Sequence, residues 1–319
     1  MLLALRSTGH GLFAAAAKRL GLSVLLLILL LNPVPLHAQD ASSPAKLFQA
    51  RLEAIVHALA NEPRLKLIRP ENRQALIEFI LGNMLFVVVH EIGHAVIGEM
   101  EMPVLGREED AADAFAIYAA LWFGDDFSHR ILVEATQGWF LSDRRDRKEG
   151  EKLAFYGAHG IDVQRAYQIV CFMVGSDPAK FKDLADKTKL PEDRRATCQR
   201  DYRNTAWSWE MMLKPHFRVS DAPKQKIEII YGEGKGKLDI YARSFRAIQF
   251  LETVAEDLAD RFAWPRSFVV EMRSCDNANA HWSGKDRKLL ICYELAEEFA
   301  ELYAVYGQTK TAPKSKRQR

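Results

Sequence analysis

The sequence predicts an α+β protein, mostly helical, with a small mixed sheet late in the chain. Apolar residues recur at helical spacing through 45–61, 71–100, 107–123, 127–140, 163–171 and 241–262. Runs rich in β-branched and aromatic residues, with Gly, Asn and Asp between them, cluster at 226–231, 267–272, 278–282 and 288–292. A chain of 319 residues, 48% apolar and 27% charged, is long enough and apolar enough to bury a sizeable core.

The N-terminus stands apart from that globule. Arg6, Lys18 and Arg19 precede the apolar run LGLSVLLLILLL at 20–31, and Pro33, Pro35 and the small residue Ala38 follow. A basic start, a short apolar stretch and a small residue make an export signal, with cleavage expected near Ala38. The run is shorter than the ~20 residues a bilayer span needs, so no stable membrane span is expected after cleavage. The expected domains are therefore a signal segment at 1–38, one globular domain at 39–308 and a basic tail at 309–319, in a secreted or periplasmic protein. Removing the signal takes away three of the 44 basic residues and none of the 42 acids, which leaves the charges nearly balanced. The tail carries Lys310, Lys314, Lys316, Arg317 and Arg319 with no apolar residue after Ala312, the composition of a solvated end. The body has no basic groove, which excludes nucleic acid as a partner.

The helix at 45–61 opens the globule. The stretch 71–100 reads as one long helix or two in succession, stopped by Pro103. A Leu105-Gly106 turn separates it from the helix at 107–123. Further helical patterns lead to the strand-rich patch, and a final helix covers 293–306. No internal repeat is present.

The four cysteines, Cys171, Cys198, Cys275 and Cys292, all follow the export signal, and an even number in an exported chain fits two disulfides. Cys275 and Cys292 flank a hairpin-like stretch that turns near Ser283-Gly284, which sets them nearly opposite each other. Cys171 and Cys198 bracket a polar stretch, expected to be a loop, containing Pro178 and Pro191. The local pairings, 171 with 198 and 275 with 292, are therefore expected.

The chemistry lies in VVVHEIGHAVIGEMEMPVLGREEDAADAFA, residues 87–116. On a helix His90 and His94 are four residues apart, so their rings project from one face within reach of one ion. Glu91 sits beside them, offset by one residue, where a carboxylate reaches a metal-bound water without ligating the metal. Metal-assisted hydrolysis needs this arrangement, because the ion lowers the pKa of the water and the base takes its proton. Two histidines simply hydrogen-bonded in a core would leave Glu91 buried without a partner on a helix that is apolar on nearly every side.

A zinc site of this type takes a third protein ligand and keeps one position open. The candidates are Glu101, Glu108, Glu109, Asp110 and Asp113. From Ala111 to Phe123 every residue except Asp113 is apolar, so that helix is expected to be buried. Glu109 and Asp113 share a face with Ala112, Ala116 and Ala120, whose small side chains permit close approach to the histidine helix. Glu109 is then the expected third ligand, with Glu108 as the alternative. Asp113 is expected to accept a hydrogen bond from the free ring nitrogen of His90 or His94. Glu108 and Asp110 fit the exposed first turn, where acids favour the helix dipole, and Glu101 fits a solvated helix end.

His90-Glu91-x-x-His94 followed by Glu109-x-x-x-Asp113 resembles the gluzincin branch of the zincin metallopeptidases, the thermolysin pattern. The wording HEIGHAVIGEMEMPVLGREEDAADAFA, with YGAHGIDVQRAYQIVC and CDNANAHWSGKDRKLLICYEL, resembles a bacterial domain family described as "putative metallopeptidase" over most of the mature chain. The resemblance implies a zincin-like fold, one Zn2+ per chain and a peptide or protein substrate. Thermolysin-like enzymes bind the substrate backbone along a sheet edge through an Asn-Ala segment. Asn279-Ala280 lies in the strand patch here, so Asn279 and Ala280 are expected to bind substrate. In thermolysin that strand precedes the zinc helix, whereas here it follows.

An oxyanion donor is also needed, and His159, between glycines and just before a helix start at Asp162, is the candidate. Arg165 could hold a substrate carboxylate, though an ion pair with Asp162 or another acid explains it more simply; His216, Tyr231, His281 and Tyr293 are weaker candidates. The expected function is a secreted zinc peptidase in which His90, His94 and Glu109 hold the ion and Glu91 activates the water. Its rivals are a catalytically idle metal-binding adaptor that uses its edge strand, and a zinc hydrolase of a non-peptide amide.

Overall fold

The computed structural model describes residues 69–124, 126–219 and 224–307. The export signal expected at 1–38, the helix expected at 45–61 and the tail at 309–319 fall outside the described residues. Chain contacts divide the protein between Ser43 and Pro44, and every described residue belongs to the second unit.

The long apolar stretch forms one helix, α1 (Pro70–Glu99), about 45 Å long at 1.5 Å per residue. It is followed by α2 (Glu108–Phe123), α3 (Asp126–Glu149) and α4 (Asp162–Ser176). A short α5 (Lys182–Lys187) and a long α6 (Glu192–Leu213) complete the helical layer. The strand-rich half then runs β1 (Ile227–Tyr231), α7 (Asp239–Ala247), α8 (Phe250–Arg261), β2 (Phe268–Arg273), β3 (Ala280–Ser283), β4 (Lys288–Cys292) and α9 (Tyr293–Leu302).

The four strands form a mixed sheet in the order β1-β2-β4-β3. β1 and β4 both run parallel to β2, and β3 returns antiparallel to β4, with Trp282 opposite Leu289. This order leaves β3 at one edge. Phe268, Val270 and Met272 on β2 are buried, as are Leu289 and Ile291 on β4. The alternation turns one face of the sheet into the core, where β3 and β4 meet α1.

Helix α1 is apolar all round because it is packed on both flanks. One core cluster joins it to the sheet and to α7, α8 and α9. A second joins Phe86 to α2, α3, α4 and the buried pair Cys171 and Cys198. By length and composition residues 72–99 could cross a membrane, yet 78% of the most apolar window is buried inside the protein. A helix hydrophobic on every side reads here as a core helix. Gly93 permits the approach of α2: a Cβ there would lie 3.0 Å from Ala112 Cα, so α1 and α2 meet nearly backbone to backbone, one turn from His90.

Three elements differ from the sequence expectation. The helix at 241–262 is two helices, α7 and α8, broken at Gln249, whose φ of +53° is left-handed. The helix expected at 127–140 continues to Glu149, through a polar stretch whose charges lie along the surface. The polar stretch before Cys198 is not simply a loop, since it contains α5 and the start of α6. In α6 the packing positions Cys198, Tyr202, Trp209 and Leu213 stand among many charges, and the helix is held by its partners: Gly175 of α4 lies so close that a Cβ there would be 2.3 Å from Cys198 O.

The disulfides Cys171–Cys198 and Cys275–Cys292 both form, with Cα separations of 5.1 and 5.5 Å. The first joins α4 to α6; the second ties the segment before β3 to the end of β4. Two structural disulfides point to an oxidising, extracellular environment.

Candidate metal centre

The α1–α2 pair brings four of the predicted residues into one cluster. Because His90 and His94 are one turn apart on α1, their rings lie edge to face at 4.9 Å between centroids. Their Nε2 atoms are 3.2 Å apart. Glu109, in the first turn of α2, places Oε2 3.2 Å from His90 Nε2 and 3.3 Å from His94 Nε2. The three donor atoms thus form a nearly equilateral triangle. For a tetrahedral ion with bonds of about 2.0–2.1 Å, neighbouring donors stand about 3.3–3.4 Å apart. Two imidazoles and a carboxylate at this spacing fit such an ion, and the half-exposed His159 reaches the Glu109 corner of the triangle.

Each imidazole is fixed from behind. His90 Nδ1 donates to Asp113 Oδ1 at 2.8 Å and His94 Nδ1 donates to Glu108 Oε1 at 2.8 Å. With both Nδ1 atoms committed to carboxylates, the two Nε2 atoms are left to face the triangle. Asp113 is buried and also accepts two hydrogen bonds from Arg165, Nε and Nη2, at 2.7 Å each. The Arg165 guanidinium lies 3.7 Å from the centre of the Trp139 ring. A continuous chain therefore runs from the triangle through His90 and Asp113 to Arg165 and Trp139.

The electrostatics follow from these contacts. Burial opposes a charge on His90, but the Asp113 and Glu109 carboxylates outweigh it and push the imidazole up to about 9. Hydrogen bonding to His90 holds Glu109 down at about 2, against its burial. Burial would raise Asp113, yet His90 and Arg165 bring it to about 2. In the metal-free chain His90 therefore carries a proton at neutral pH. An ion bound by its Nε2 must displace that proton, so binding at pH 7 should release about one proton per ion. Apparent affinity should climb about tenfold per pH unit and level off near pH 9, where the proton no longer competes. Calorimetry in buffers of different ionisation enthalpy measures the release; no release at pH 7 would mean that His90 is already neutral in the metal-free chain.

Glu91 follows His90 directly on α1. It is buried, and its Oε2 accepts a hydrogen bond from the backbone N–H of Trp282 at 2.9 Å. The edge strand β3 is thus tied to α1 at the residue next to His90. Asn279 turns its carbonyl to Cys292 N–H on β4. By antiparallel alternation Ala280 and Trp282 turn their backbone groups to the outer edge, in agreement with the Trp282 bond to Glu91. Of the two expected substrate-binding residues, Ala280 lies on that edge and the carbonyl of Asn279 is committed to β4.

His159 comes from the segment between α3 and α4 and places Nε2 2.8 Å from Glu109 Oε2. Its ring is stacked toward that of His90, with centroids 6.2 Å apart. Burial lowers the pKa of this imidazole. Glu101 stays exposed, and Asp110 is bound by Arg107. Tyr231 bonds Glu252 and Tyr293 bonds the carbonyl of Gly232, so both serve the fold; His281 is exposed on β3. Sequence reasoning placed Glu108 among solvated first-turn acids and missed its bond to His94. It also missed Trp139 and the Trp282 amide. A backbone donor leaves no mark in a sequence, and an aromatic near Arg165 shows no fixed spacing from it.

No curated protein and no solved structure matches the chain. Residues 26–213 and 236–319 match the family described as "putative metallopeptidase", and the chain belongs to that family.

Proposed function

We propose that the protein is an exported zinc peptidase in which His90, His94 and Glu109 hold the ion, Glu91 is the general base and His159 is the oxyanion donor. The observation that carries this reading is the equilateral triangle of two imidazole nitrogens and one carboxylate oxygen beside a buried glutamate. Imidazole donors at this spacing suit zinc, whereas magnesium and calcium take oxygen ligands. When bound, the ion polarises the peptide carbonyl and acidifies a water.

The chain supplies the rest. Glu91 has one oxygen fixed by Trp282 N–H and the other free to take the proton of the attacking water and pass it to the leaving nitrogen. His159, poised over Glu109, donates to the oxygen that gains charge as the carbonyl is attacked. Asp113 keeps a hydrogen on His90 Nδ1, and Arg165 balances the charge of Asp113 so that a buried acid beside the ligand stays ionised. An extended peptide pairs with the outer edge of β3 at Ala280, which lays its backbone across the triangle.

Metal analysis of the purified chain tests this directly. The expectation is about one zinc per chain, with casein hydrolysis abolished by chelator and restored by zinc. A chain that takes up no zinc on reconstitution and cleaves nothing would overturn the reading.

A further inference from the structure

An apolar cavity of about 160 Å³ opens between four helices, walled by Phe86 and Val89 of α1, Phe115 and Ala119 of α2, Ile131 of α3 and Leu258 of α8. None of its lining residues is a proposed metal ligand, and among the described residues that line it only Asp257 and Arg261 are charged. An apolar cavity of about 150 Å³ stays dry and takes up benzene. Left empty, such a space destabilises a fold in proportion to its volume, so an apolar body that enters it is favoured.

The mouth is aromatic and its side chains touch one another. Trp122 and Phe123 are about half-exposed, with ring centres 6.0 Å apart. Trp122 stacks on Phe217 at 6.1 Å, and Phe217 stacks on Phe262 at 5.6 Å. The Arg261 guanidinium lies over both exposed rings, 4.5 Å from the centre of Trp122 and 4.6 Å from that of Phe123. Its Nε donates to Asp257 Oδ2 at 2.6 Å. Among the described residues no acceptor meets its two Nη groups. A guanidinium held flat by stacking, with donors left at its edge, presents a fork that fits a carboxylate. The neighbouring charges favour an anion as well. Three cations, Arg218, Lys224 and Arg261, share two carboxylates, Asp257 and Asp260. Arg218 belongs to this group through its backbone N–H, which bonds the Arg261 carbonyl at 2.7 Å.

We propose that the cavity is a binding site for a medium-chain fatty carboxylate, with the alkyl chain among the aromatic side chains and the carboxylate on the Nη edge of Arg261. The site stands on its own residues, whatever the His90 cluster does. The volume suits a chain of about eight carbons, since longer ones leave methylenes in the mouth. A neutral ligand would leave the Arg261 fork unused, and a cationic amphiphile would meet an excess of positive charge.

Calorimetric titration of the full chain with octanoate, and with octyltrimethylammonium of the same chain length, tests the site. Octanoate should bind about 10–100-fold more tightly, the range expected for hydrogen bonds to a charged group. Affinity should climb about fourfold per methylene from hexanoate to octanoate, as the chain leaves water. Ala119→Phe, which puts a ring into the cavity, should abolish binding, and Arg261→Gln should remove the preference for the carboxylate. Asp257→Asn takes away the competing acid and should tighten octanoate binding, a gain that misfolding cannot imitate. Equal affinity for the two head groups, a flat hexanoate-to-octanoate series, or unchanged binding in Ala119→Phe would overturn the proposal. Weaker octanoate binding in Asp257→Asn would do the same. A native chain that binds no octanoate also overturns it, and three further results would name another occupant. Sedimentation with phosphatidylglycerol vesicles that Ala119→Phe abolishes would assign the cavity to a bilayer. A dimer that the same substitution dissociates would assign it to a second copy. Octanoate binding that appears only in the double variant Leu52→Asp, Ile55→Asp would assign it to the chain's own segment 45–61.

Discussion

Glu91→Gln is expected to keep its zinc and to lose about 10²–10⁴-fold in peptide hydrolysis, the usual contribution of a positioned general base. The substitution conserves volume and retains a carbonyl oxygen where Glu91 accepts the Trp282 N–H. The edge strand therefore keeps its place, and the amide simply cannot take a proton from water. Zinc content measured beside activity separates the outcomes. Loss of both would mean that Glu91 holds the site together, and wild-type turnover would place the base elsewhere. An idle adaptor would show no turnover to lose and unchanged binding of peptide.

The part of the site carried on helices was legible because helical geometry is local. His90 and His94 share a face by spacing alone, and Asp113 stood out as the single charge in an otherwise apolar stretch of α2. Its meeting with His90 Nδ1 follows from the small residues between the helices. Gly93 and Ala112 set that distance, and both are visible in the sequence. What depended on long-range placement was not legible. Trp282 lies 191 residues from Glu91, and nothing in either neighbourhood announces the contact. Arg165 was correctly expected to pair with an acid, but which acid is decided by the packing of α4 on α2, so Asp113 rather than Asp162 receives it.

The same division holds for the fold. The strands were readable from composition, and both disulfides from the nearness of their cysteines in the chain. Helix α6 was not, because its apolar positions are diluted by charge and its stability comes from contact with α4 and the Cys171–Cys198 bond. The break between α7 and α8 rests on one left-handed residue, Gln249, and glutamine gives no sign of it. Local periodicity thus located the helices that carry the proposed ligands, while tertiary contacts supplied the groups that steady them.

The sharpest expected contrast lies between Glu109 and Asp113, one turn apart on the same helix. Glu109→Ala removes one of three proposed donors, so zinc affinity should collapse. Its side chain is partly open to solvent, so its loss should cost the metal-free fold less than a change at the buried Asp113. Asp113→Asn works in the opposite balance. It keeps an acceptor for His90 Nδ1, so zinc should still bind, weakened about 10–100-fold. It also strips the charge that pairs with Arg165 in a buried setting. Breaking a buried ion pair on one side typically costs about 3–5 kcal/mol, because the remaining guanidinium has lost its counter-charge. Zinc titration and urea unfolding of the metal-free chains should therefore rank the two variants in reverse order: Glu109→Ala worse in affinity, Asp113→Asn worse in stability. Equal zinc loss in both would mean that Asp113 itself reaches the ion. Full retention in Glu109→Ala with loss in Glu108→Ala would move the third ligand one residue back, and the 2.8 Å bond from His94 to Glu108 would then mark a donor in waiting and not a support.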